Sequence, residues 1–414
     1  MIEGNVQAPS MRGRIRWVIL AMLFLSTVIN YVDRQTLSIL APTIQADLGM
    51  TDRDYAGVVQ AFLAAYTLAY LFGGWLTDRL GARVGLAVFV IWWSAANFVT
   101  GLAHSATQLG AARFALGLGE AGNYTAAPKT VSERFPAHER GFAVGVYTAG
   151  AMVGATISPP LIGWLALRHG WRAAFMATGA LGLFWVVGWL WVHRWAPPTK
   201  VGAETPAERW AWVAMLRQRP TWGLALARMV TDPVWYFYLF WFPKYMIDDR
   251  GMTLLQMVQI AWVVYLAADL GAVLGGLGSG RLVRRGMPPW KSRLMLMACA
   301  AVLAPVGAVI AFGPSISATF VVAALVAFAH LVFLGNLTTL AVDIFPSRHI
   351  ATLFGIIAAG SGLGGLLSTK LVGELASTQS YDTAFLLMAG LHPLGWLIAW
   401  WAVRRPLVQP TVRT

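Results

Sequence analysis

Long apolar runs separated by short polar loops constrain this chain more than any other feature of its sequence. A helix needs about 20 residues to cross the hydrocarbon core of a bilayer, and the run from Trp17 to Ala41 exceeds that length. Hydrophobic residues make up 57% of the chain and charged residues 12%, about half the usual charged share of a soluble domain. A transmembrane barrel would instead show short alternating segments. We therefore expect an all-α polytopic membrane protein.

Twelve runs are predicted to span the membrane, and the longest polar stretch divides them into two groups of six. This stretch, residues 194–220, is expected to be a cytoplasmic linker between six-helix bundles at residues 1–193 and 221–414, with a surface or gating helix around Glu204–Arg217 as the alternative. The first run is too long for a cleavable signal and lacks a small-residue cleavage site after it, so we expect it to be retained. The spans are expected at residues 17–41, 55–76, 84–103, 107–130, 141–164, 172–193, 221–246, 257–279, 292–312, 316–342, 351–373 and 383–403.

The net charge of +13 comes from basic residues that concentrate in alternate loops. Arg79 and Arg83 follow the second span, and Arg284 and Arg285 follow the eighth, whereas the opposite loops hold few basic residues. This asymmetry follows the positive-inside rule and places both termini in the cytoplasm. Because the basic residues do not line one face or arm, nucleic acid is not expected as a partner. The single cysteine, Cys299, lies in an apolar run and cannot form a disulfide framework or a cysteine-based metal site.

A short internal repeat supports the division into two halves. The segment Glu133–Pro136, with Gly145 beyond it, recurs as Asp343–Pro346 with Gly355 at the same distance. Each copy lies between the fourth and the fifth span of its half. Two parallel six-span repeats around a central site are typical of secondary transporters.

In the N-terminal half, two acids and two bases lie well inside predicted spans: Asp33 and Arg34 in the first, and Arg113 and Glu120 in the fourth. A charge at the bilayer centre costs at least roughly 2.5–3.5 kcal/mol on insertion scales, so these side chains need partners or a role. The seven-residue spacing of Arg113 and Glu120 places both on one helix face, about 10 Å apart along the axis. A static network of salt bridges is one interpretation. The mixture of signs favours another, in which an arginine binds an anion and the carboxylates exchange protons.

The segment Gly117–Gly122 fits the dinucleotide pattern GxGxxG. That pattern binds pyrophosphate only where a strand leads into a helix N-terminus. Here it lies inside an apolar helix, which favours close helix packing through small residues.

Further polar and aromatic side chains in the spans could contact a sugar-sized solute, although such aromatic residues also serve as packing or interface anchors. The candidates are Tyr31, Tyr66, Tyr236, Tyr238, Trp241, Asn336, Thr339 and Ser361.

Three more ionisable groups could take part in proton transfer or have purely structural roles. Asp232 follows Arg228 by four residues, which allows an intrahelical ion pair. Asp269 could pair across helices, and His330 lies deep in the tenth span. His392 lies near the end of the last span and is expected at the membrane interface.

At several of these positions the chain resembles a known family. The pattern Gly74-x-x-x-Asp78-Arg79-x-Gly81-x-Arg83 is similar to the signature loop between spans two and three of the major facilitator superfamily. The chain resembles the anion:cation symporter branch of that superfamily at Tyr31-x-Asp33-Arg34, Glu120 and Phe135–Arg140. It resembles bacterial hexuronate transporters at Asp232-Pro233-x-Trp235 and Ala268–Gly271.

The resemblance implies roles for individual residues. It implies that Arg34 contacts the substrate carboxylate, with Tyr31 and Tyr66 nearby. It also implies that Asp33 and Glu120 carry protons, with Arg113 beside Glu120 as a coupling residue. The Gly74–Arg83 loop would help to control conformational switching. One departure concerns the substrate: Ala151 stands where some sugar-acid relatives place a glutamine.

The sequence thus predicts a proton-coupled symporter that imports a small organic anion, with a hexuronate such as glucuronate or galacturonate preferred. Another carboxylate, namely an aldonate, an aldarate or an aromatic acid, is the alternative within this class. A phosphate-ester antiporter would not need titrating acids, and an enzyme would need a catalytic cluster that the sequence lacks. We expect no cofactor or metal, a monomer, and a location in the bacterial inner membrane.

Overall fold

The computed structural model describes residues 11–195, 216–346, 349–378 and 381–404, and every regular element in these ranges is helical. These residues form two compact units. Unit 1 contains the chain up to Phe135 and from Val146 to the gap at 196–215. Unit 2 contains Pro136–Gly145 and the residues after that gap. The division of the chain at a linker, residues 194–220, stays a prediction, because most of that stretch lies outside the described residues.

Four long helices supply unit 1, and the fourth begins in the segment that belongs to unit 2. Two of them contain a sharp bend at a glycine with positive φ, namely Gly81 (φ 76°) and Gly170 (φ 81°), a backbone conformation that strains other residues. The helices are α1 (Met11–Leu48), α2 (Asp52–Thr100), α3 (Ala106–Arg134) and α4 (Ala137–Val192).

Unit 2 contains shorter helices, several of which follow one another almost without a break. A five-residue π-helix, Phe237–Trp241, separates α5 from α6, and a 3₁₀ helix, Ala304–Phe312, continues α8. The α-helices are α5 (Arg219–Tyr236), α6 (Phe242–Asp248), α7 (Leu254–Arg284), α8 (Pro289–Leu303), α9 (Ile316–Ile344), α10 (Ile350–Thr378), α11 (Tyr381–Ala389) and α12 (Leu391–Val403).

Each of the twelve predicted spans falls on a helical segment of the described residues. The two arms of α2 and of α4 correspond to two spans each, and α11 with α12 forms the last. Eight of the described helical stretches are apolar enough, by length and composition alone, to cross a membrane. Large apolar side chains remain exposed on them, such as Phe184 (75%) and Val302 (82%), as a lipid-facing surface requires. The predicted fold class, an all-α protein with twelve membrane segments, is confirmed.

The internal repeat marks equivalent helix ends in the two units. Helices α3 and α9 both have 29 residues. Each begins after a serine, Ser105 or Ser315, whose hydroxyl accepts a hydrogen bond from the backbone three residues on. Each ends at a phenylalanine in extended conformation, Phe135 or Phe345, because the proline that follows disfavours the helical conformation.

The glycines of the GxGxxG segment pack α3 against α2 inside unit 1. A Cβ at Gly117 would collide with the backbone of Phe62, and one at Gly122 would overlap the ring of Phe89. The segment is helical throughout. The packing interpretation is therefore confirmed, and this close approach brings the polar residues of α2 and α3 together.

Candidate functional site

The guanidinium of Arg34 is surrounded by aromatic rings inside unit 1. It lies 5.3 Å from the ring centre of Tyr31, 5.3 Å from that of Phe62 and 4.7 Å from that of Tyr66. The hydroxyl of Tyr66 accepts a hydrogen bond of 2.7 Å from Tyr70. The ring faces attract the cation and partly replace its hydration. We call Tyr31, Arg34, Phe62 and Tyr66 the arginine cage.

Glu120 of α3 supplies the countercharge for Arg34. Its Oε2 accepts both Nη2–H (2.7 Å) and Nε–H (3.1 Å) of Arg34. The Glu120 side chain is fully buried, whereas 29% of the Arg34 side chain is exposed. Oε1 of Glu120 is buried, and within the described part of the chain it has no hydrogen-bond partner. The pair therefore presents its cation to a solute and keeps one carboxylate oxygen available for a proton.

Asp33 precedes Arg34 on α1 but faces a different part of unit 1. It is fully buried, and its Oδ1 accepts a hydrogen bond of 2.7 Å from Asn97, which also donates to Thr178 (2.8 Å). No hydrogen bond to its Oδ2 is found among the described residues. A charged carboxylate is costly to bury, which suits a group that takes up a proton.

Arg113 lies beside Asp33 and contacts its main chain. Its Nη1 donates to the carbonyl oxygen of Asp33 (3.4 Å), and its guanidinium lies 4.9 Å from the ring centre of Phe175. The side chain is 1% exposed, and its Nε and Nη2 have no hydrogen-bond partner among the described residues. The charge of Glu120 also acts on Arg113, although the Glu120 carboxylate hydrogen-bonds to Arg34. The coupling role of Arg113 beside Glu120 stays a prediction. Arg113 is thus a buried cation that a negative charge on Asp33 would stabilise.

A second polar cluster lies in unit 2. Nε of Arg228 donates to Oδ2 of Asp232 at 2.8 Å, which confirms the ion pair that the four-residue spacing allowed. Ser361 of α10 donates a short hydrogen bond to the same oxygen, and the Tyr236 hydroxyl lies 3.4 Å from that of Ser361. Tyr236 and Ser361, predicted separately, are therefore neighbours.

The other candidates of unit 2 have surroundings of their own. Trp241, in the π-helix, packs against Tyr381, with ring centres 6.4 Å apart. Asn336 is 1% exposed and donates to the carbonyl of Val332 in its own helix, and its Oδ1 has no partner. Asp269 is half-buried in α7.

His330 pairs with His392. Their Nδ1 and Nε2 atoms are 3.2 Å apart, and the ring of Trp235 stacks on His330 with a centroid distance of 5.6 Å. Both histidines are buried, at 2% and 0% exposure. The side chain of His392 is enclosed by protein, and its position at the membrane interface stays a prediction.

The signature loop between spans two and three is held by neighbours in unit 1. Asp78 accepts a hydrogen bond of 2.7 Å from Lys129 of α3. The indole of Trp189 donates to the carbonyl of Arg83 at 2.9 Å, and the guanidinium of Arg79 lies 5.4 Å from the ring centre of Trp75. Gly74 is buried, and Gly81 provides the bend of α2. The role of these residues in conformational switching stays a prediction.

The sequence interpretation missed several residues that complete these sites. Asn97 donates hydrogen bonds to both Asp33 and Thr178. Phe62 lies beside Arg34, and Tyr70 donates a hydrogen bond to Tyr66. Asn97 had a usable signal, because an amide in the middle of an apolar run needs a partner. Phe62 and Thr178 had none, since such residues are ordinary in a membrane helix.

The chain is similar to transport proteins of known class. Residues 23–369 match the sequence model of the Major Facilitator Superfamily. The hexuronate transporter of Escherichia coli K12 is 31% identical over 427 aligned residues, covering 97% of each protein. The galacturonate transporter of Dickeya chrysanthemi is 35% identical over 278 residues, which cover 63% of this chain and 81% of the relative. The D-galactonate transporter of Escherichia coli O6:H1 is 29% identical, covering 92% and 94%.

Solved structures show the same architecture at lower sequence identity. The human organic anion transporter MFSD10 superposes with a TM-score of 0.72 at 16% identity, covering 93% of this chain and 99% of that protein. The fucose:proton symporter FucP of E. coli superposes with a TM-score of 0.71 at 15% identity, covering 94% and 99%. At these identities the likeness concerns the fold.

Proposed function

The chain belongs to the Major Facilitator Superfamily and is a multi-pass membrane transporter, not an enzyme, and from this premise we propose that it is a proton-coupled symporter for a small organic anion. The proposed substrate is a hexuronate such as galacturonate or glucuronate, in line with the names of the hexuronate and galacturonate transporters that it resembles. The proposed location is the bacterial inner membrane, with both termini in the cytoplasm and the protein acting as a monomer. Transport would follow the alternating-access scheme of secondary transporters.

The observation that carries this proposal is the pairing of Arg34 with Glu120. The cation is partly exposed and surrounded by aromatic rings, while its countercharge is fully buried. A planar guanidinium can bind a carboxylate through two parallel hydrogen bonds, and both N–H groups that such a substrate would use now point at Oε2 of Glu120. The substrate carboxylate and Glu120 would therefore compete for the same donors.

Protonation of Glu120 would decide this competition. A neutral Glu120 releases most of its hold on Arg34, so that an incoming carboxylate supplies the countercharge. The reverse also holds: once the substrate has left and Glu120 has lost its proton, Arg34 is neutralised again within the protein. This exchange couples one proton to one anion without leaving a lone charge in the membrane.

Asp33 would provide a second proton site, with Arg113 as the cation that responds to it. A proton on Asp33 would remove one of the two carboxylates whose charge acts on Arg113, the other being Glu120, and its loss would restore that charge. In the surroundings of Arg34, the sugar hydroxyls of the substrate are assigned to Tyr31 and Tyr66. The contacts of Tyr236, Trp241, Asn336 and Ser361 with the substrate stay predictions.

A transport assay in proteoliposomes tests the proposal. Uptake of labelled galacturonate is measured with and without an inward proton gradient, and unlabelled competitors are added from four groups: hexuronates, aldonates, aldarates and aromatic acids. We expect accumulation above the equilibrium level only with the gradient, and the strongest competition from hexuronates. Stronger competition by galactonate or an aldarate would keep the anion symporter and replace its substrate. Accumulation that ignores the proton gradient would refute the symport.

A further inference from the structure

An apolar cleft on the surface of unit 2 is not part of the proposed transport site. It lies between α5 and α12 and has a volume of about 560 Å³. Several of its side chains are strongly exposed, among them Trp222 (56%), Leu397 (50%) and Trp401 (48%). The lining residues are Arg219, Trp222, Gly223, Leu226, Leu397, Ile398 and Trp401. On a membrane protein, an exposed groove of this composition is filled by lipid chains.

One end of the cleft is basic. Helix α5 begins at Arg219, whose guanidinium lies 3.4 Å from the ring centre of Trp401, close to the end of α12. Arg217 and Arg404 are exposed just beyond these two helix ends. The sequence holds no aspartate or glutamate from 216 to 230 or from 391 to 404. Every charged residue within these two ranges is therefore basic.

Tryptophans on both walls of the cleft indicate at which level of the membrane this end lies. Trp222 donates its indole N–H to the carbonyl of Leu216 at 2.6 Å, so the ring has its polar edge toward the helix start and its body along the cleft. Tryptophans of this kind are enriched at the level of lipid headgroups. An acyl chain along Leu226 and Leu397 would therefore place its headgroup phosphate near Arg219.

We propose that this cleft binds an anionic phospholipid, with one acyl chain between α5 and α12 and the phosphate at Arg219. Basic pockets between membrane helices are a recognised form of lipid headgroup site. The guanidinium lies 3.4 Å from the ring centre of Trp401, and a planar guanidinium is suited both to aromatic faces and to phosphate. The inference goes beyond the transport proposal and does not depend on the identity of the substrate.

Native mass spectrometry of the detergent-purified, delipidated protein tests the site. Phosphatidylglycerol, phosphatidylethanolamine and phosphatidylcholine are added in turn, and the fraction of protein carrying one lipid is measured. We expect preferential retention of a single phosphatidylglycerol. The variant Arg219→Gln should weaken this binding about tenfold, the loss of one charge-assisted hydrogen bond. Arg284→Gln removes an exposed arginine at the end of α7 and should leave the binding unchanged.

Two further measurements distinguish binding of the whole lipid from binding of its headgroup alone, and a loss of the site from a folding defect. Leu226→Trp fills the cleft without touching the arginine, and we expect it to abolish the preference while the melting temperature of the lipid-free protein is retained. Glycerol 3-phosphate, which has the phosphate without the chains, should not compete. Any one of three results would overturn the proposal. These are equal binding of the three lipids by the wild type, unchanged phosphatidylglycerol binding by Leu226→Trp, and effective competition by glycerol 3-phosphate.

Discussion

Arg34 keeps its charge inside the membrane because its surroundings replace much of its hydration. Three ring faces surround the guanidinium, and a carboxylate oxygen accepts two of its N–H groups. Each contact alone is modest, since a cation–π contact contributes about 0.5–2 kcal/mol. Together with the ion pair they offset the cost of burying an arginine. A substrate carboxylate that replaced Glu120 would inherit the same surroundings.

Glu120→Gln tests whether Glu120 is the proton carrier. Glutamine keeps the size of the side chain but cannot neutralise Arg34, so the arginine is permanently ready for the substrate. We expect galacturonate to bind about tenfold more tightly, which corresponds to ~1.4 kcal/mol. Uphill accumulation should be lost, while counterflow of substrate between two equal pools should continue. Equilibrium binding and both transport modes are measured in proteoliposomes.

The matched control is Asp47→Asn. Asp47 forms an exposed ion pair with Arg172 (2.7 Å), so its neutralisation should leave both transport modes unchanged. Full accumulation by Glu120→Gln would show that the proton is carried elsewhere, with Asp33 the next candidate to test.

Arg34→Lys tests the arginine cage itself. Lysine preserves the charge but not the planar, two-donor geometry that a carboxylate matches and aromatic faces stack against. We expect the affinity for galacturonate to fall about 100-fold, or ~2.7 kcal/mol, with the protein still folded. Isothermal titration in detergent measures it. Wild-type affinity in this variant would mean that only the charge matters and that the rings are ordinary packing.

The sequence identified the buried charges at this scale but not their partners. Insertion cost alone singles out Asp33, Arg34, Arg113 and Glu120. The partner of each one depends on how α1, α2 and α3 pack. The seven-residue spacing correctly puts Arg113 and Glu120 on one face of α3. It says nothing about which side chain of α1 reaches each of them.

At the scale of elements, the start of α4 is fixed to unit 2 by a buried charge cluster. Arg293 of α8 is fully buried and donates to Asp343 of α9 (3.0 Å) and to the carbonyl of Ala137 (2.5 Å). Arg140 donates to the other oxygen of Asp343 at 2.8 Å. Two cations thus share one carboxylate. This carboxylate stands in the second copy of the internal repeat, at the end of a helix.

Asp343→Asn should therefore destabilise the protein strongly. The substitution keeps the shape but leaves the charge of Arg293 buried without an anion, which costs about 3–5 kcal/mol. We expect a large drop of the thermal unfolding midpoint in detergent, partly recovered when Arg293→Met is added. Asp382→Asn, an exposed position in the first turn of α11, is the control and should change little. A midpoint for Asp343→Asn that equals the control would mean that the cluster contributes no net stability.

The helices were far more predictable from the sequence than the bends and connections between them. Apolar runs of membrane length locate every segment, because the bilayer fixes both length and composition. The Phe-Pro repeat correctly marks the ends of α3 and α9. The bends at Gly81 and Gly170 were not predicted: sequence suggests a loop at both places, whereas the helix resumes directly after one glycine with positive φ. The π-helix at Phe237–Trp241 likewise has no signal beyond Pro233 before it.

At the scale of the whole molecule, the proposed orientation in the membrane can be tested by counting crossings. The turn at His169 and the loop at Arg285 are separated by three predicted spans, so we expect them on opposite sides of the bilayer. Basic residues cluster around Arg285, which the positive-inside rule places in the cytoplasm. Both side chains are exposed. They are therefore suitable reporters of the two sides.

Single-cysteine labelling tests this orientation. His169→Cys and Arg285→Cys are each made together with Cys299→Ser, because Cys299 is the only native cysteine. In intact spheroplasts, a membrane-impermeant maleimide should label the first variant, and it should label the second only after permeabilisation. If both variants were labelled in intact spheroplasts, the two positions would lie on the same side of the membrane, and the number of crossings between them would be even. One of the spans at 172–193, 221–246 or 257–279 would then not cross the bilayer. Labelling in the reverse order would keep the twelve spans and invert the protein, which would place the basic end of the α5–α12 cleft on the outer face.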